Sequence, residues 1–316
     1  MLLRSGYECE DFSQLICVND SGFCINPPDV PVITLFHQIN KEKKMSKIIL
    51  ITGASRGFGK IWAKALLERG DKVAATARNL ENLNDLVEEF GDAVLPIQLD
   101  VNSREDSFEA VNKAKAHFGR IDVLINNAGF GLFGAIEETT EQQARAQMET
   151  NFFGVLWVTQ AVVPIMREQK YGHIIQVSSF LGLVTLPVLG IYNASKYAVN
   201  GLSETLASEV KDFGIKVSLI EPNGFSTDWS GASAFQTEPN EIYAPIRQAF
   251  FDSATPDTWG KPESTTKAVL ELIDSENPPL HFLLGKMAYP GVKQVYSERL
   301  AEFETWKEVA VEAHGH

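Results

Sequence analysis

"KIILITGASRGFG", Lys47–Gly59, joins an apolar run to a loop with glycines at 53, 57 and 59, and an amphipathic stretch continues from there to Gly70. Apolar residues on successive positions, rather than on alternate ones, mark a strand covered on both faces. A glycine-rich turn between such a strand and a helix lets backbone N–H groups approach a pyrophosphate at the helix N-terminus. A purely structural turn uses the same residue types, but the position between strand and helix favours a dinucleotide. The Lys-Ser/Thr ending of an ATPase phosphate loop is not present.

Outward from this stretch the same alternation repeats. Apolar runs fall at 72–77 (KVAATA), 93–100 (AVLPIQLD), 121–129 (IDVLINNAG), 172–179 (GHIIQVSS) and 215–222 (IKVSLIEP), with a short last one at 281–285 (HFLLG). Helical stretches separate them, such as 59–70 and 104–119, each closed by a glycine suited to a helix C-terminus. Right-handed crossovers between such units give a doubly wound parallel α/β sheet with helices on both faces, three layers in all. One domain is expected over 45–290, with a helical C-terminal segment over 291–316. Residues 1–44 read as a poorly ordered extension: they hold the Pro-rich "NPPDVP" and end in "NKEKKM", after which "MSKIILITG" resembles a fresh start.

The 316 residues carry a formal net charge of −13, which disfavours a nucleic-acid partner. Apolar residues make up 44% and charged ones 22%, enough for a sizeable core. The three cysteines, Cys9, Cys17 and Cys24, suit neither a disulfide framework nor a metal core, and the six histidines are scattered. No apolar run reaches the roughly 20 residues of a membrane span, and no signal peptide is apparent. The expected setting is the cytoplasm, with no metal.

The end of the second run bears on the nucleotide. Where an NAD site commonly places a carboxylate for the ribose 2′-hydroxyl, this chain has Ala77 followed by Arg78. Arg78 and Arg56 are suited to a 2′-phosphate, so NADP(H) is expected over NAD(H). Asp100, past the third run and next to Val101, either accepts from the adenine amino group or simply starts a helix.

"YNASK", Tyr192–Lys196, places a phenol and an ammonium four residues apart, on one face of a helix. The spacing alone fits either an idle surface pair or a reaction centre. Taken with "TGASRGFG" at 52–59, "NNAG" at 126–129, Asn151 in "METNFFG" and Ser179 in "VSS", the chain resembles the short-chain dehydrogenase/reductase family over about 47–290. The resemblance implies a single-domain Rossmann-type sheet and a catalytic tetrad of Asn151, Ser179, Tyr192 and Lys196. It extends to the steroid- and retinoid-type reductases of that family, and implies hydride transfer at the pro-S face of the nicotinamide. Cofactor contacts are expected from Gly53, Ser55, Arg56, Gly57, Phe58 and Gly59 in the first loop, and from Arg78, Asp100 and Val101 beyond the next strands. Asn127, Ala128 and Gly129, Tyr192 and Lys196, then Pro222, Gly224 and Thr227 complete the set. The family's Pro-Gly is here Pro222–Asn223–Gly224, where Asn tolerates unusual backbone angles. The sugar-nucleotide branch is disfavoured by the glycine pattern and by the lack of room for a larger C-terminal domain.

In this reading Lys196 and an oxidised nicotinamide lower the proton affinity of Tyr192, which acts as general acid and base. Ser179 holds the substrate oxygen, and Asn151 orders a water near Lys196. Leu181, Leu183, Leu186, Val188 and Leu189, with Phe130, Phe133, Phe225 and Trp229, are expected to line an apolar cleft for a hydrophobic ketone or aldehyde, beneath a mobile lid at about 226–255. A homodimer or homotetramer is expected through the apolar stretch 148–169. Two other functions stay open: an NADP(H)-binding regulator or scaffold without turnover, and a lyase or epimerase using transient oxidation.

Overall fold

Each of the seven apolar runs forms a strand of one parallel sheet. The computed structural model describes residues 46–227, 229, 234–253, 255 and 258–315. The extension expected at 1–44, with its cysteines, and positions 228, 230–233 and 254 of the expected lid lie outside the described residues.

In chain order the strands are β1 (Ile48–Ile51), β2 (Lys72–Ala77), β3 (Val94–Gln98), β4 (Val123–Asn126), β5 (Leu132–Phe133), β6 (Gly172–Val177), β7 (Ile215–Pro222), β8 (Phe235–Gln236) and β9 (His281–Leu284). The large sheet runs β3-β2-β1-β4-β6-β7-β9. The order reverses between β1 and β4, where Ile51 pairs with Ala75 on one side and Ile125 on the other. Ligands of such sheets bind in the crevice that this reversal opens at the strands' C-terminal ends. A two-stranded parallel ribbon, Leu132 opposite Phe235, was not foreseen; two residues per strand are too few to leave a period in the sequence.

The helices are α1 (Gly57–Glu68), α2 (Asn84–Phe90), α3 (Arg104–Phe118), α4 (Glu141–Met148), α5 (Gly154–Gln169), α6 (Gly190–Val210), α7 (Ala244–Ser253), α8 (Thr266–Asp274) and α9 (Ala288–Glu312). Alternate strand residues point to opposite faces. Ile49, Ile51, Val73 and Ala75 pack with Trp62 and Leu66 of α1 and Leu272 of α8, while Leu50, Ala74, Leu124 and Ile174 pack with α3, α5 and α6. Both faces are therefore dry, which explains the unbroken apolar runs. Trp62, 1% exposed, donates its indole N–H to Thr265 Oγ1 at 2.8 Å and so fixes α1 to the turn that starts α8.

Local chemistry sets the helix ends. Ser103 caps α3 by accepting from Asp106 N at 3.1 Å, and Gly119 closes it at φ 84°. Thr140 and Gln143 form a reciprocal capping box on α4. A π-turn over Glu149–Phe153 then joins α4 to α5 and carries Asn151. Wide turns of this kind are common at functional sites. No helix of the described residues is long and apolar enough to cross a membrane.

Candidate active site

The loops after β1, β2, β3, β4, β6 and β7 open into one cavity of about 870 Å³. It is lined by Arg56, Arg78 and Asp100 at one side of the sheet reversal, and by Ser179, Tyr192 and Lys196 with a group of apolar side chains at the other.

The first loop leaves backbone bare where a phosphate chain would lie. Gly53 has φ 67° and Gly57 φ 52°, a region that disfavours side chains. A Cβ on Gly59 would stand 2.2 Å from the carbonyl oxygen of Gly53, so α1 can lie against the loop only with glycine there. Thr52 Oγ1 accepts from the backbone N–H groups of Asn127 and Ala128, both at 3.0 Å, and Asn127 Nδ2 donates to the carbonyls of Thr52 and Gly53. The "NNAG" segment thereby holds the shape of the glycine loop. Asn126 works in the other direction, donating to Thr159 Oγ1 and Gln176 Oε1 and pinning β4 to α5 and β6. This bare turn at a helix start, with two guanidiniums on the cavity wall, fits a dinucleotide carrying phosphates.

Tyr192 and Lys196 occupy one face of α6, 5% and 6% exposed. Ser179 Oγ, which donates to Pro222 O at 3.4 Å and accepts from Leu181 N at 3.1 Å, lies near enough to the phenol to favour its charged form, and Trp229 packs on the ring with centroids 4.8 Å apart. Lys196 Nζ donates to Val177 O at 2.8 Å and lies 5.7 Å from the centre of the Tyr192 ring. The lowering of the Tyr192 proton affinity expected from Lys196 does not arise from the chain's own groups alone. Burial pushes the phenol above its usual proton affinity, with only the nearby Ser179 hydroxyl opposing it, and lowers Lys196 to about 8. Both groups sit in a dry site where desolvation outweighs their mutual influence. The chain alone does not make an acidic phenol; it makes a neutral one that retains its proton.

This has a measurable consequence for the protein without added nucleotide. An unfolded lysine keeps its proton to about 10.5, whereas folded Lys196 releases it near 8. Between those values the unfolded chain binds more protons, so stability rises with pH; above pH 10 the phenol, which the fold keeps protonated, reverses the trend. Denaturant midpoints should climb from about pH 8 to 10, and Lys196→Met should flatten that climb. An unchanging midpoint across this window in the unsubstituted protein would contradict the assignment.

Asn151 is fully buried and does not line the cavity. Its Oδ1 accepts from Phe130 N at 3.1 Å, and its Nδ2 donates to Phe130 O at 3.0 Å and Ser195 Oγ at 3.2 Å. Its Oδ1 also stands 3.1 Å from where a Cβ on Gly129 would be. Gly59 too lies behind the wall, a packing position rather than a contact. Every other expected cofactor position, from Gly53 to Thr227, borders the cavity.

Of the expected apolar lining, Leu181, Leu186, Leu189, Phe130, Phe225 and Trp229 face the cavity. Leu183 and Phe133 instead pack beneath it in a cluster with Tyr192, and Val188 is buried in the loop. Phe235, Phe250, Trp259 and Met287, which were missed, line it as well; they reach it from segments whose sequence shows no period that points there. Val188 stands at φ 57°, an unusual conformation for a β-branched residue, and its carbonyl accepts from Gly134 N at 2.8 Å. Asn223, by contrast, has no left-handed backbone; its side chain donates to the carbonyls of Gly224 and Thr258. The departure from Pro-Gly thus works through a side chain, not through an unusual backbone angle.

The expected lid is not a bare loop. Its described part contains β8, a 3-10 turn at Glu241–Tyr243 and α7.

The sequence model of the short chain dehydrogenases matches residues 47–237. The chain belongs to the short-chain dehydrogenase family. Among curated members, Oxidoreductase BOA17 of Botryotinia fuckeliana is 41% identical over 271 residues, covering 84% of this chain and 99% of that protein. A 3-ketodihydrosphingosine reductase of Bacteroides thetaiotaomicron is 39% identical, covering 76% and 88%. Bovine Retinol dehydrogenase 8 is 32% identical, covering 74% and 80%. A crystal structure of a short-chain dehydrogenase from Streptomyces avermitilis superposes with a TM-score of 0.80 at 37% identity, over 85% of this chain and 98% of that one. Short-chain dehydrogenase structures from Burkholderia cenocepacia with NADP (TM-score 0.66, 28% identity, 82% and 97% covered) and Burkholderia phymatum with NAD (0.70, 26%, 82% and 95%) also match. The chain is therefore an oxidoreductase of a family that uses nicotinamide dinucleotides, some members with NADP and others with NAD.

Proposed function

We propose that this short-chain dehydrogenase is an NADP(H)-dependent reductase of neutral, apolar ketones or aldehydes, with Tyr192 as the proton donor. The observation that carries the reading is the buried phenol. It lies beside Ser179, is covered by Trp229, and is kept protonated by its burial. A protonated phenol on the cavity wall beside Ser179 can serve as the proton donor that carbonyl reduction requires.

When bound, the dinucleotide supplies the hydride. The chain's own residues do the rest. Ser179 Oγ holds the substrate oxygen, and Tyr192 Oη gives that oxygen its proton as charge develops there. Lys196, aligned by its bond to Val177 O, would donate to the nicotinamide ribose when the dinucleotide is bound and return a proton to the phenol. Asn151, behind Gly129 and bonded to Ser195, shapes the wall next to Lys196 where a water carries the proton out. Arg56 and Arg78 take the 2′-phosphate, with no carboxylate at Ala77 to repel it.

Among the described lining residues the charged ones are Arg56, Arg78, Asp100 and Lys196, all assigned here to cofactor or catalysis. The described side chains around Phe130, Leu186, Phe250 and Trp259 are mostly aromatic and aliphatic, with Ser253 and Thr258 as neutral polar groups, so a carbonyl compound without charge fits best. The relative named as a reductase of 3-ketodihydrosphingosine agrees with a ketone substrate. We assign the oligomer contact to α5, continuous with the half-buried Phe152 and Phe153 of the π-turn, and the setting to the cytoplasm.

A panel of ketones and aldehydes graded by size and polarity, followed by NADPH consumption, tests the proposal. Turnover should concentrate in the uncharged, apolar members. Tight NADPH binding with no oxidation across the panel would instead favour a binding protein.

A further inference from the structure

We propose that Glu138 is a positioning residue: its carboxylate, paired with Arg247, latches the segment 234–253 onto the rim of the cavity and so fixes one wall of the substrate site. Glu138 ends a 3-10 turn, Ile136–Glu138, between the rim and α4, and as sequence it looks like ordinary surface charge. Its side chain is nevertheless only 2% exposed. Three donors from the 234–253 segment converge on it: Asn240 N at 2.7 Å and Arg247 Nη2 at 2.5 Å on Oε1, and the Thr237 hydroxyl at 3.0 Å on Oε2. A fourth, Ala135 N at 2.7 Å on Oε2, ties the carboxylate to its own turn.

The latched segment carries Phe235 and Phe250 into the cavity wall. Phe235 packs on Phe130 at 4.9 Å, and Phe250 on Phe133 at 6.2 Å. Beneath the latch the contact is close: a Cβ on Gly134 would stand 2.0 Å from Thr237 Oγ1. Gly134 in turn donates to Val188 O, so the rim is bonded to both the lid and the loop that bears Leu186 and Leu189. One carboxylate thus holds two walls in register. The N–H of Asn240, with those of Ala135, the Thr237 hydroxyl and Arg247, depresses the Glu138 carboxyl to about 2 against the cost of burial. The carboxylate therefore stays charged throughout the range in which the protein works.

The inference rests on the substrate reading of the cavity only for its kinetic arm. Glu138→Gln preserves shape but turns an amide N–H₂ toward donors. Arg247→Met removes the ion pair from a partly exposed position. Hydrogen exchange without ligand should show the amides of 235–247 exchanging about tenfold faster or more in both variants, with β1, β4 and β6 unchanged. With an apolar ketone, KM should rise about tenfold while the Kd for NADPH stays within twofold. Unaltered exchange at 235–247 in both variants overturns the latch. So does a KM increase matched by an equal loss of NADPH affinity, which would mark general loosening. If no carbonyl is turned over, the exchange result still decides on the latch, while the function proposed above fails separately.

Discussion

Tyr192→Phe is expected to lower kcat for carbonyl reduction by about a thousandfold or more, within the range ascribed to a positioned acid, while the Kd for NADPH stays within about twofold. The substitution retains the ring that packs 4.8 Å from Trp229, so the wall survives and only the proton is removed. Ser179 keeps its own bonds, donating to Pro222 O at 3.4 Å and accepting from Leu181 N at 3.1 Å. Because burial raises the phenol's proton affinity, Tyr192 itself should impose no fall in the reductive rate from pH 6 to 9, whereas loss of the Lys196 proton should lower the rate above about pH 8. Stopped-flow oxidation of NADPH measures both. A Tyr192→Phe enzyme within tenfold of normal turnover would end the assignment of Tyr192 as acid.

The second large effect concerns the nucleotide. Replacing Arg56 and Arg78 together by Ala should raise KM for NADPH about a hundredfold and KM for NADH no more than about threefold. Each guanidinium bonded to a phosphate contributes roughly 1.5 kcal/mol at an exposed site, or about tenfold. Both arginines line the cavity and both are exposed, which is why the expected effect stays at the low end of charged hydrogen bonds. Equal losses for the two cofactors would mean that the arginines serve the pyrophosphate or the solubility of the chain.

The seven strands were legible because a sheet covered on both faces leaves runs such as Ile48–Ile51 and Val123–Ile125 without polar interruption. The glycine loop was legible for a related reason: positive φ at Gly53 and Gly57 and the contact at Gly59 admit few other residues. The grouping of Ser179, Tyr192 and Lys196 followed from order along the chain. Their proton affinities did not, because they depend on how dry the site is. Residue types say nothing of that; only the packing of Trp229 and Leu181 against the ring does. Glu138 was invisible for another reason. Its partners lie 99 to 109 residues further on, and nothing local separates it from the exposed Glu137 beside it. Phe250 and Met287 reach the cavity by the same long-range route.

Val188 gives the molecule a character of its own. A valine held in a left-handed turn costs on the order of 1 to 3 kcal/mol, and its carbonyl is bound to the rim. The bond from Gly134 N to the Val188 carbonyl tethers that loop to the rim and opposes its reshaping around each visitor. Selection among compounds then depends on their outline more than on adjustment by the host: a molecule too broad for the gap is refused, and a slender one is gripped loosely. Such a protein resembles a gauge more than a glove.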